Sequence, residues 1–103
     1  ITALVSHMPH LLSAVLMNQA GQAAQDCDEI WQIAASGFRD MTRLAAGSPE
    51  LWTDVCATNA GNIADVLGEY RRRLEALEQQ LRQGGAERLA EMLTKAQNLR
   101  SNI

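Results

Sequence analysis

Aromatic side chains are scarce in this sequence. One Phe, one Tyr and two Trp in 103 residues mean that any core must be aliphatic and alanine-lined. No surplus of positive charge exists either. Nine Lys and Arg against twelve Asp and Glu leave a net charge of −3, which excludes the broad basic face that nucleic-acid binding requires. No run of about 18 residues is apolar and uncharged, so no membrane span is expected. The first residues lack a basic stretch followed by a cleavage site, so no secretory signal is read. Cysteine is limited to Cys27 and Cys56, each alone in a helical-looking stretch. Both are read as buried small hydrophobes rather than a disulfide, in keeping with a cytoplasmic protein. Glycine-rich phosphate loops of the G-x-G-x-x-G or P-loop kind are missing, as is any Ser/His/Asp or Cys/His nucleophile set. By itself the chain carries no complete catalytic apparatus. It begins at Ile1 without methionine and reads as a piece of something longer.

What remains is helical periodicity. Leu4, Val5, Met8, Leu11, Leu12, Val15 and Leu16 recur at spacings of three and four, predicting a helix from Thr2 to about Gln19. Pro9 lies inside it, and a kink near Val5 is expected from its missing donor and its ring. Gly21 to Asp26 reads as a loop, followed by a helix over about Ala24 to Ala34. Ser36-Gly37 reads as a break, and Phe38 to Ala46 as a short helix with Gly47 at its C′ position. Ser48-Pro49-Glu50 then supplies an N-cap, a first-turn proline and a first-turn acid. From Pro49 the pattern runs to Gly84-Gly85, with a soft spot at Asn59-Ala60-Gly61. A final helix spans Ala86 to about Asn102. No strand and no internal repeat is present. The fold class is all-α, of about five to six helices including one long one. The apolar stripe from Ile63 to Leu81 exceeds what one small domain can cover, so a dimer is expected.

Few residues could carry chemistry. His7 and His10 are three apart and share a helical face. They could hydrogen-bond backbone or water, line an anion or substrate pocket, or hold a metal. A metal would need further ligands, and Asp26, Cys27 and Asp28 have no recognisable spacing to the pair. Arg39 and Arg43 share a face, and Asp40 can pair with Arg43. Such a pair can be a solvated helix face worth little. It can also be a carboxylate orienting a guanidinium fork toward an anion. Trp31 and Trp52 read as core at their helical spacing, although Trp52, just past the Gly47-Ser48-Pro49 turn, could also wall a cleft. Arg71-Arg72-Arg73 is a solvated face balanced by Glu69, Glu75 and Glu78.

Three segments together resemble a known family. Ser6-His7-Met8-Pro9-His10-Leu11, Ser36-Gly37-Phe38-Arg39-Asp40-Met41-Thr42-Arg43-Leu44-Ala45, and Ser48-Pro49-Glu50-Leu51-Trp52 with Asn59 look like the C-terminal helical domain of prephenate dehydrogenases. The likeness covers most of residues 1 to 62. It implies a substrate- and dimer-forming domain over residues 1–103, with an N-terminal Rossmann domain outside this chain that binds NAD or NADP. None of that cofactor is expected to be held by this chain, and no metal. The whole enzyme would oxidatively decarboxylate prephenate, or arogenate in close relatives, in tyrosine biosynthesis. The resemblance further implies that Arg43 binds a substrate carboxylate and that His10 shares its pocket. Asp40 and Trp52 would support or gate the pocket, and Ser36-Gly37 would form its backbone wall. His7 would be mainly structural. No catalytic residue is expected in the chain, and alone it should be inactive. A non-catalytic helical dimerisation module is the competing reading.

Overall fold

A computed structural model describes residues 1–103. The chain is helical from end to end and contains no strand. Two compact units are formed, Ile1–Leu67 and Gly68–Ile103. No helix is long and apolar enough to cross a membrane.

The first unit is organised around α1 (Met8–Ala24). Before it, Ala3–His7 winds as a π-helical turn, closed by the Met8 N–H on the Ala3 carbonyl. Proline explains the widening. Pro9 cannot donate to the carbonyl of Val5 and its ring presses on that carbonyl. A wider five-residue register relieves both, so the expected kink takes the form of a π-turn. Gly21 does not end the helix, which continues through Gln22, Ala23 and Ala24. A single helical glycine costs only about 0.5–1 kcal/mol relative to alanine, and good helix formers follow it.

The predicted helix from Ala24 to Ala34 is mostly absent. Only Ile30–Ile33, α2, is helical. Asp26, Asp28 and Glu29 crowd three negative charges beyond the carbonyl end of α1, where the helix dipole opposes them. Cys27 therefore sits in a turn and is exposed, not buried as its expected helix would have made it. Trp31, on a single helical turn, is also exposed rather than core.

The next break falls at Ala34 and the extended Ala35, not at Ser36-Gly37, which open α3 (Ser36–Thr42). A 3-10 turn, Arg43–Ala46, completes the segment. The anchor of that turn is Ser13, only 2% exposed. Its hydroxyl oxygen accepts the Ala45 N–H at 3.0 Å, supplying a partner to a donor whose loss would cost about 1–3 kcal/mol. Both α3 and the 3-10 turn pack on α1.

Ser48 caps α4 (Pro49–Ala57) as its sequence predicts, accepting the Leu51 N–H at 3.3 Å. Thr58 and Asn59 interrupt the long pattern at the expected soft spot. Beyond them α5 runs Ala60–Gln83, and its Ile63 is buried with Ala3 and Met8 in a thin core.

In the second unit, α5 ends at Gly84, whose φ of +74° is the left-handed conformation that glycine adopts without strain. The Gly85 N–H returns to the Gln80 carbonyl at 3.0 Å, the longer bond of a Schellman cap. Helix α6 spans Ala86–Arg100 and does not pack extensively along α5. Leu74, Leu81, Leu93 and Leu99 are 48%, 61%, 56% and 58% exposed. Arg72 and Arg73 both pair with Glu69, and Arg82 pairs with Glu78. The Arg72 hydrogen bond, with its charge and that of Arg73, lowers the Glu69 pKa. This is the solvated charge pattern that the sequence suggests.

Candidate functional site

The site is assembled at Trp52. In the first turn of α4, its indole is met by both histidines. His10, in the first turns of α1, lies flat on it, with ring centroids 3.9 Å apart and planes inclined by 15°. His7, from the π-turn, meets it edge-on at 6.3 Å and 79°. Stacked aromatic pairs contribute about 0.5–1.5 kcal/mol beyond their buried area. The π-turn thus brings two histidines, three apart in sequence, onto a single indole.

The two imidazoles are held differently. His7 Nδ1 accepts a hydrogen bond from the Asn59 side-chain N–H at 3.3 Å, and Asn59 Oδ1 accepts from Asn62 at 2.7 Å. This ties the π-turn to the junction of α4 and α5. His10 has no such tether. It is 7% exposed, yet its Nδ1 has no hydrogen-bonding partner. Buried polar atoms are nearly always paired, and this nitrogen is an exception. The residue borders a cleft of about 270 Å³ lined by His10, Leu11, Ala14, Ala45, Gly47, Pro49, Trp52, Thr53 and Cys56. The walls are largely apolar, as in small-molecule sites with few orienting polar groups.

The cationic segment lies differently. Arg43 opens the 3-10 turn whose Ala45 lines the cleft, but Arg43 itself is exposed, does not line it and forms no hydrogen bond or ion pair. The Asp40–Arg43 pair allowed by their spacing is not made, and Asp40 is exposed. Arg39 turns back to donate from Nε to the Ala34 carbonyl at 3.4 Å. Ser36 and Gly37 are exposed at the start of α3. Of the site residues taken from the resemblance, His10 and Trp52 are brought together, while Ser36, Gly37, Asp40 and Arg43 stand outside the cleft.

Two residues stand in the site for reasons their sequence context does not show. Gly47 follows the 3-10 turn at the expected C′ position, yet its φ of −66° and ψ of 164° are open to any amino acid. Asn59 stands in the sequence as part of the soft spot and of the family likeness, and neither assigns it the hydrogen bond to His7. Cys56, expected in the core, is half-buried on the cleft wall. No group of three His, Cys, Asp or Glu side chains converges on a point that could hold a metal ion. The chain contains no strand, and so no strand–turn–helix phosphate cradle.

The chain is thus an all-helical domain that combines an imidazole–indole cleft with uncovered apolar helix faces. The model of the family "Prephenate dehydrogenase, dimerization domain" matches residues 1–95, and the chain belongs to that family. Over all 103 residues it is 31% identical to a prephenate dehydrogenase of Bacillus subtilis, of which it spans 28%. Over 101 residues it is 31% identical to a cyclohexadienyl dehydrogenase of Zymomonas mobilis, of which it spans 34%. The crystal structure of Synechocystis arogenate dehydrogenase superposes with a TM-score of 0.88 at 29% identity. That match covers 98% of this chain and 37% of the other.

Proposed function

We propose that this chain is the substrate-binding and dimer-forming part of an NAD(P)-dependent prephenate or arogenate dehydrogenase, acting in the cytoplasm in tyrosine biosynthesis. The observation that carries this reading is the buried His10, flat on Trp52 and unpartnered at Nδ1 beside a cleft. The reaction converts prephenate and NAD(P)⁺ to 4-hydroxyphenylpyruvate, carbon dioxide and NAD(P)H. Prephenate is a dianion, so its site requires fixed donors. Arg43 supplies a guanidinium fork for a carboxylate, and its lack of any partner within the chain leaves that fork free. His10 supplies a neighbouring hydrogen-bonding nitrogen, Trp52 an apolar wall, and Asp40 with Ser36-Gly37 the surroundings of the arginine. The dinucleotide belongs to an N-terminal Rossmann domain, as the family likeness and the partial coverage of the relatives suggest. A homodimer covers the apolar faces of α5 and α6.

A second reading, a helical dimerisation module without substrate work, draws on the exposure of Arg43 and its absence from the cleft wall. Turnover separates the two. The full-length protein, given prephenate or arogenate with NAD⁺ or NADP⁺, is expected to form reduced nicotinamide and release carbon dioxide. Absence of both products under all four pairings supports the module instead.

A further inference from the structure

We propose that Gly47 is a positioning residue of the cleft: its missing side chain makes the space in which the His10 imidazole lies flat on Trp52. The inference rests on the functional reading above for its kinetic consequence, and on geometry alone for its structural one.

Backbone freedom does not explain a glycine here, since the conformation at residue 47 is ordinary extended backbone. Space does. A Cβ at this position would stand 2.7 Å from His10 Cε1, 3.2 Å from Trp52 Nε1 and 3.3 Å from the Leu44 carbonyl oxygen. The first of these is well inside van der Waals contact, so something must move. Leu44 offers little give, because its carbonyl already accepts the Gly47 N–H at 3.0 Å to close the 3-10 turn. Trp52 is itself in contact with both imidazoles. His10 is buried, and the atom struck is Cε1, the carbon between its two nitrogens. An added methyl group would therefore push the imidazole edge that carries both hydrogen-bonding atoms. By contrast, Gly21, Gly37 and Gly61 would meet nothing within 4 Å. The restriction is local to the cleft.

The test uses Gly47→Ala in the full-length protein, with His10→Ala and the double variant. Selective ¹³C labelling of histidine reports the stack directly, because the indole ring current shifts the His10 Cε1–H signal, which is assigned by its loss in His10→Ala. Gly47→Ala is expected to move that signal toward the position of an unstacked imidazole. The apparent KM for prephenate is expected to rise about 10- to 100-fold, the scale of effect of displacing a positioning group by around 1 Å. The nucleotide KM should stay unchanged. Gly47→Ala should also lower Tm more in the wild-type background than in His10→Ala, where the closest obstruction is gone. That comparison serves equally if the single variant folds poorly. An unmoved His10 signal, an unchanged prephenate KM, or the same Tm loss in both backgrounds overturns the proposal. If the wild-type protein turns over neither prephenate nor arogenate, the functional reading falls, while the His10 signal and the Tm comparison still decide the role of Gly47.

Discussion

Arg43→Ala in the full-length protein should raise the apparent KM for prephenate by about 30- to 1000-fold, with the nucleotide KM left almost unchanged. The range follows from the roughly 2–4 kcal/mol lost when one member of a desolvated, hydrogen-bonded charge pair is removed. Arg43 is exposed and unpaired in the isolated chain, so its removal orphans no protein group and should barely alter stability. Whatever it contributes therefore appears in binding. Arg43→Lys should recover only part of the loss, since an ammonium keeps the charge but not the planar fork. Initial-rate kinetics with each substrate varied in turn measure both constants. Equal weakening of prephenate and nucleotide would contradict the assigned role.

The second large effect is on assembly. Leu74→Glu combined with Leu81→Glu should convert a dimer into a monomer at micromolar concentration, as read by sedimentation velocity. Both leucines lie on the α5 stripe and are about half exposed or more in the single chain. Leucine and glutamate have similar helix propensity, so the fold of one chain should hardly notice the change, and far-UV circular dichroism should be preserved. A dimer would notice. Burying an unpaired carboxylate carries an effective penalty of several kcal/mol per ion, and each α5 brings two. A wild-type protein that is already monomeric would contradict the dimer, and a double variant that stays dimeric would place the contact elsewhere.

These expectations draw on features of very different legibility in the sequence. The all-α class, the Ser48 cap, the soft spot near Asn59 and the Gly84-Gly85 stop were readable because each has a local cause: a period, a side-chain acceptor, a weak helix former, a left-handed glycine. Elements set by competition were misread. Three acids beyond the carbonyl end of α1 reduced the second helix to one turn, which put Cys27 and Trp31 on the surface. Gly21, read as a loop, was carried through by the helix formers after it. Pro9 signals a perturbation of α1, but not the π-turn that absorbs the strain and aims His7 and His10 at one indole. The pairing of His10 with Trp52 joins residues 42 positions apart, which no local pattern encodes. It came from the family likeness. At Gly47 the sequence shows that a side chain is missing and not what an added one would strike.

The proposed function requires His10 and Arg43 to act on the same bound dianion. A double-mutant cycle on prephenate kcat/KM in the full-length protein, built from His10→Asn and Arg43→Ala, measures it most directly. Shared work on one guest predicts a coupling of about 0.5–3 kcal/mol between the two substitutions. Effects that add to within about 0.3–0.5 kcal/mol would show two independent side chains, and would contradict a common site.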